Sequence, residues 1–169
     1  MQVALRFRGA GWKRDRAEVL LGSRYGLEIR SALPADAAGL AELLSASGHP
    51  VPSHVLAEQL EVLRYGHGTA LLALEWGPPS GIVVLHWYPV LEQASPVAQI
   101  TMLLVAPDGR RRGVGRQLLK AASQAARMAG CGTIQLLAAT EETGLPEFCG
   151  ATGFVPSAGC FVRPLRKKG

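Results

Sequence analysis

Residues 97–130 read VAQITMLLVAPDGRRRGVGRQLLKAASQAARMAG. Val97–Val105 is the most strand-like run in the chain, and it stops at Ala106-Pro107-Asp108-Gly109, a turn. Helical periodicity follows at once: Val114, Leu118, Ala122, Ala125, Ala126 and Ala129 share one face up to Gly130, a C-terminal stop. Between strand and helix lies Arg110-Arg111-Arg112-Gly113-Val114-Gly115. Glycines at a helix start let ligand oxygens approach bare backbone N–H groups, and the helix dipole adds positive potential. The arginines add charge-assisted contacts, so the turn reads as a phosphate site. Two common phosphate motifs do not fit: there is no GxxxxGK[ST], and GxGxxG would need glycine where Leu118 stands.

Upstream, Leu27–Ala32 reads as a short strand, and Pro34 sits where a first helical turn tolerates it, ahead of the stripe Leu40, Leu43 and Leu44. A second helix is expected over Ser53–Tyr65, with Ser53 as N-cap and Leu56, Leu60 and Leu63 at helical spacing. Thr69–Leu74 and Gly81–Tyr88 are apolar runs joined by Gly77-Pro78-Pro79-Ser80, a hairpin signal. Downstream, Thr133–Ala139 reads as a buried strand, Gly144–Thr152 as a short helix with Pro146 in its first turn, and Phe154–Val155 and Cys160–Leu165 as closing strands. The order β-α-α-β-β-β-α-β-α-β-β predicts an α/β fold with a mixed central sheet flanked by helices. Residues 27–169 form the expected single domain, and 1–26 an N-terminal extension in which Gln2–Arg8 alternates like an edge strand.

A chain of 169 residues with 48% hydrophobic and 18% charged residues can bury one real core. Its apolar runs fall far short of the roughly 20 residues of a bilayer helix. Cys131, Cys149 and Cys160 are odd in number and lack CxxC spacing, so neither a disulfide framework nor a zinc knuckle is indicated, and His49, His54 and His67 form no metal-ligand spacing. The N-terminus, with Arg6, Arg8, Lys13 and Arg14, lacks the apolar core of a secretory signal, so a reducing cytoplasm is the expected home. The net charge of +5 is unevenly spread: residues 1–30 carry seven Lys/Arg and three acids, 31–109 one and seven, 110–169 ten and three. That polarity suits a polyanionic ligand for the last segment and a cationic one for the middle.

The stretch LLVAPDGRRRGVGRQLL resembles the acetyl-coenzyme A signature of the GNAT acyltransferase superfamily, [QR]-x-x-G-x-[GA] between its fourth strand and third helix, with Arg110, Gly113 and Gly115 at the three defined positions. Phe148–Phe154, FCGATGF, is similar to the family's F-Y-x-x-x-G-F, and the element order matches from Leu27 to Leu165. The resemblance implies a GNAT-type sheet and acetyl-CoA as co-substrate, with no metal. Backbone N–H groups of Arg111, Arg112, Gly113, Val114, Gly115 and Arg116, with Arg110, would cradle the pyrophosphate. The fourth strand would splay from the fifth so that Leu103, Leu104 and Val105 pair with the pantetheine arm, and an N–H near Leu104 would hold the oxyanion. Direct transfer to an amine needs no side-chain nucleophile.

An acceptor amine of pKa about 10.4 is almost wholly ammonium at pH 7, and its neutral form lies about 4–5 kcal/mol higher. A base or a desolvating site offsets this. Many family members place Glu just before Leu-x-Val, where Thr101 and Met102 stand here, Met102 being read as core. His86, in VVLHWYP, is the candidate replacement, with Glu92 a weaker one and Trp87 and Tyr88 as pocket walls. The family's frequent general acid, the Tyr of F-Y-x-x-x-G-F, is Cys149 here, either a thiol donor or a packing residue. Glu142 replaces an Asn often seen seven positions before that Tyr, and its place in the pattern is beside the coenzyme. The expected activity is acetyl transfer to the primary amine of a small, cationic molecule. Loss of both usual proton-transfer residues keeps open a non-catalytic acetyl-CoA-binding module. Aromatic residues at 6% and no stacking motif count against nucleic acid. A homodimer is compatible with the family.

Overall fold

The computed structural model describes residues 23–24, 26–137 and 144–156. The Gln2–Arg8 strand, Cys160–Leu165 and Glu142 lie outside the described residues, as does most of the 1–26 extension. Six described strands form one sheet in chain order: β1 (Ser23–Arg24), β2 (Leu27–Ser31), β3 (Gly68–Leu74), β4 (Pro79–Tyr88), β5 (Val97–Val105) and β6 (Thr133–Leu136). Pairing is antiparallel from β1 to β5 and parallel between β5 and β6, the mixed sheet that the element order predicts. β1 turns into β2 through Gly26, whose φ of 81° suits glycine, so the sheet begins ahead of Leu27.

Helices cover both faces. α1 (Ala37–Ala46) and α2 (Ser53–Tyr65) lie on one, entered through a 3-10 turn at Pro34–Asp36, while α3 (Val114–Met128) lies on the other and α4 (Leu145–Ala151) docks beside it. The period of two sorts each strand between two cores: Leu71, Val83 and Leu85 pack with Leu118, Leu119 and Ala122 of α3, whereas Ala70, Leu72 and Ile82 pack with Leu40, Leu43, Leu44 and Leu60. Leu118 is fully buried, and at about 0.8 kcal/mol per buried methylene this face of α3 supplies much of its attachment.

α2 has the expected bounds, but Pro52 occupies its N-cap and Ser53 is its first helical residue. Pro52 makes no side-chain cap, and Ser53 has already entered the helical conformation in which its hydroxyl no longer serves as one. Pro79 and Ser80 belong to β4 rather than to the hairpin loop, because Pro79 lies opposite Leu74 beyond a register shift at Ala73/Leu74. Among the described residues Phe154 and Val155 form no strand pairing. The entry to α1 is held by Asp36. It accepts two hydrogen bonds from the Arg30 guanidinium, at 2.7 and 2.8 Å, and one from the Leu33 N–H at 2.8 Å. The Arg30 hydrogen bonds, partly opposed by burial, hold the Asp36 carboxyl below its usual range.

Candidate active site

Two features of β5 create an open edge. β6 pairs with Val97–Ile100, and the last bond of that ladder runs from Leu137 N–H to the Ile100 carbonyl at 3.1 Å. Beyond it, Thr101–Val105 has no partner on that side among the described residues. On the other side the register shifts between Val84 and Leu85, leaving Thr101 as an extra residue between Ile100 (opposite Leu85) and Met102 (opposite Val84). This bulge reverses the facing of everything after it: Ile100 packs against the α3 core, but so do Leu103 and Val105, while Leu104 and Ala106 turn to the α1–α2 core. Thr101 and Met102 emerge to solvent, Met102 at 37%, so Met102 is a surface residue of the open segment rather than core.

The bulge also decides which backbone groups face the gap. Ala106 N–H donates to the Ser80 carbonyl at 2.9 Å, and the Leu104 carbonyl stands 2.9 Å from where a Cβ on Gly81 would be. Leu104 therefore directs its backbone groups at β4, and alternation sends the N–H groups of Leu103 and Val105 to the open edge. At the expected oxyanion position, the N–H groups that face the open edge are therefore those flanking Leu104 rather than its own.

The strand runs into a 3-10 turn at Pro107–Gly109 and then the arginine-glycine segment. Arg110 is extended, Arg111 is left-handed at φ 61°, and Gly113, at φ 86° and ψ 0°, is the N-cap of α3 with no side-chain cap. The first backbone bond of the helix is Gln117 N–H to the Gly113 carbonyl, so the N–H groups of Val114, Gly115 and Arg116 are left for an external acceptor. Arg110, Arg111, Arg112 and Arg116 are exposed around them. Gly115 serves a different purpose from Gly113. A Cβ there would meet Phe148 Cζ at 3.3 Å and Val105 Cγ2 at 3.5 Å, so bare backbone lets α4 seat its phenyl ring on the helix start.

From the turn a groove of about 240 Å³ continues between α3 and α4, lined by Arg116, Lys120, Ser123, Arg127, Thr152 and Phe154 among others. The cations at 116, 120 and 127 recur on one face of α3, which carries no carboxylate. A larger cavity of about 580 Å³, bounded by Ala38, Glu42, Pro50 and Val51, lies beside α1 and opens widely to solvent; no residue of β5 or of the turn lines it. Its size does not make it the site, because it lacks the donors and the charge that the turn provides.

His86 is half-buried on β4, opposite Gln99, and shares its sheet face with Ile82 and Val84 toward α1 and α2. Gly68 makes room for it: a Cβ there would stand 3.0 Å from His86 Nδ1 and 2.8 Å from the Leu85 carbonyl. Trp87 points the opposite way and packs against the α3 core, so it does not wall a pocket with His86; Tyr88, at 38% exposure, is on the His86 side. His86 is three residues along β4 from Val83, the partner of Leu103, about 10 Å of strand. Cys149 is half-buried on α4, where burial pushes its thiol up and keeps it protonated at neutral pH. The residue of α4 seated on the site is its neighbour Phe148. Arg112 is engaged: its Nη2 lies 3.1 Å from Glu75 Oε1, a contact no local pattern in the sequence signals. Among the described residues no group of three or more His, Cys, Asp or Glu side chains could hold a metal ion, and no helix is long and apolar enough to cross a membrane.

A mixed sheet with helices on both faces, one strand edge left open and an uncapped glycine turn at its end define an α/β protein with, among the described residues, a run of unpaired backbone donors along that edge and the helix start. The chain belongs to the GNAT acetyltransferase family: the model described as "Acetyltransferase (GNAT) family" matches residues 38–150, more than half of the 169. Solved structures agree in fold. A putative acetyltransferase from Agrobacterium tumefaciens str. C58 is similar at 27% identity and TM-score 0.70, over 80% of this chain and 99% of its own. The ribosomal-protein-alanine N-acetyltransferase from Brucella melitensis biovar Abortus 2308 is 20% identical, TM-score 0.70, over 83% and 99%. The aminoglycoside acetyltransferase meta-AAC0020 from an uncultured soil metagenomic sample, solved with sisomicin, is 20% identical, TM-score 0.70, over 83% and 97%. No curated protein matches the sequence.

Proposed function

We propose that this chain binds acetyl-CoA along the open edge of β5 and transfers its acetyl group to the primary amine of a small, cationic molecule. The observation that carries the reading is the continuity of three surfaces. The free N–H groups of Leu103 and Val105 lead to the uncapped N–H groups of Val114–Arg116, and these to the cationic groove of Arg116 and Lys120. A ligand that is amide-rich at one end, a diphosphate in the middle and a phosphorylated nucleoside at the other matches that order of donors. Arg110 and Arg111 line the diphosphate with charge, and Gly113 leaves its approach clear.

Acetyl-CoA supplies an activated thioester. Leu103 N–H donates to its carbonyl oxygen where negative charge develops. As the amine nitrogen bonds to the carbonyl carbon, the C–S bond breaks, the nitrogen sheds a proton and the sulfur gains one. In this reading His86 is the base for the first proton and acts on the amine through water, because about 10 Å of strand separates it from the Leu103 register. Cys149 is held protonated beside the site and is in this reading mainly a packing residue. The segment that builds α1, α2 and β4 carries one Arg against seven acids in residues 31–109, which favours a cationic acceptor. The related aminoglycoside acetyltransferase supports the same class. Residues 27–169 act as the catalytic unit.

Calorimetric titration with acetyl-CoA, with a pantetheine control lacking the 3′-phosphate and diphosphate, tests the binding half. Phosphate-dependent binding is expected, followed by thiol release in a panel of primary amines. Equal binding of the control removes the turn from the reading, and binding without turnover on any amine converts the chain to a coenzyme-binding module.

A further inference from the structure

The turn is built on the β3–β4 hairpin. Ala106 donates its N–H to the Ser80 carbonyl at 2.9 Å, and a Cβ on Gly109 would stand 3.4 Å from that same carbonyl oxygen. The third attachment is Arg112 to Glu75, which follows the last residue of β3. Glu75 is the better-buried partner, its side chain 23% exposed against 58% for Arg112, so the hairpin is the anchor and the arginine is what is held. Immediately before Arg112 stands Arg111, the sole non-glycine residue with positive φ among those described. A side chain disfavours that region, so a neighbour must hold the backbone there. The electrostatics sharpen the point. A carboxylate beside a phosphate cradle repels the ligand, and Glu75 is compatible with the cradle only because its charge is taken up by Arg112.

We infer that Glu75 is a positioning residue for the coenzyme: its ion pair with Arg112 keeps Arg111 left-handed and so aims the peptide groups of the turn at the diphosphate. The inference rests on the coenzyme reading above. It goes beyond that reading in giving a residue of the β3–β4 hairpin, remote from the turn only in sequence, control over affinity through Arg112.

Four variants, Glu75→Gln, Glu75→Asp, Arg112→Gln and the Glu75→Gln/Arg112→Gln double, are compared by calorimetric titration with acetyl-CoA and, without ligand, by 15N relaxation of amides 110–115. Glu75→Gln is expected to lower the order parameters of residues 111–113 and to raise Kd about two- to fivefold, the range of a solvent-exposed ion pair. The added effect vanishes in the Arg112→Gln background, and Glu75→Asp recovers part of the affinity. Tighter binding by Glu75→Gln overturns the inference, since it means that charge neutralisation outweighs positioning. So does an equal penalty in the Arg112→Gln background, or a lowered melting temperature with order parameters and Kd unchanged. If the wild type fails to bind acetyl-CoA the coenzyme reading falls by itself. The relaxation arm then decides whether Glu75 holds the turn: a drop in order supports this, and unchanged order overturns it.

Discussion

Gly113 and Gly115 stand two residues apart in one motif, yet alanine at each should have different consequences. At Gly113 a Cβ meets nothing within 4 Å, but φ is 86°, so the penalty is conformational, about 1–2 kcal/mol for an L-residue in the left-handed region. The turn can escape that penalty by rotating Gly113 out of the left-handed well, which turns the N–H groups of Val114–Arg116 away from their common focus. Acetyl-CoA must then restore the strained form, so Gly113→Ala should raise Kd about 5- to 30-fold, the same 1–2 kcal/mol read as affinity. At Gly115 φ is ordinary and the added Cβ meets Phe148 Cζ at 3.3 Å, a contact that a ring shift of a few tenths of an ångström relieves. Gly115→Ala should therefore change Kd by less than about threefold, under 1 kcal/mol. Gly113→Asn should fall between, because asparagine tolerates the left-handed region better than alanine. Calorimetric titration of the three variants, with thermal melts to confirm folding, is the assay. Equal losses at 113 and 115, or wild-type affinity for Gly113→Ala, would refute the claim that left-handed geometry at the helix N-cap creates the cradle.

Asp36→Asn should destabilise the fold by about 1–3 kcal/mol by removing the charge from a carboxylate bonded to Arg30 and Leu33. Because the folded pKa of Asp36 is depressed, the wild-type advantage should be full above about pH 4, the unfolded value, and shrink as pH falls through the lower folded value; urea melts across pH 3–7 measure it. His86→Gln should lower kcat by about 10²–10⁴ with the KM for acetyl-CoA little changed, and steady-state kinetics showing full turnover would remove His86 as base. Cys149→Ala should keep turnover within about threefold, whereas a loss above 10²-fold would reinstate the thiol as a proton donor.

The central elements were legible from local pattern, whereas β1 and, among the described residues, the lack of strand pairing at Phe154–Val155 were not. Val97–Val105 ends where the apolar run ends, α2 spans Ser53–Tyr65 as Leu56, Leu60 and Leu63 require, and Gly113 and Gly115 fall between strand and helix because glycine is read directly. The stripe on α3 packs as its 3.6-residue period directs, through Val114, Leu118, Ala122 and Ala126. Facing and reach were not legible. The extra residue at Thr101 is set by pairing between β4 and β5, and it reverses the alternation that a single strand would show. That reversal brings Met102 to the surface and turns the N–H groups flanking Leu104, rather than its own, to the open edge. Trp87 and His86 are sequence neighbours on opposite faces, and only the positions of α3 on one side and α1 and α2 on the other decide which core each face meets. Glu75 and Arg112 meet because the β3–β4 hairpin folds under the turn. Local periodicity depends on residues within a few positions, so the sequence by itself determined the strand, the turn and the helix; strand register and a distant ion pair depend on what the rest of the chain brings alongside, and tertiary structure alone decided those.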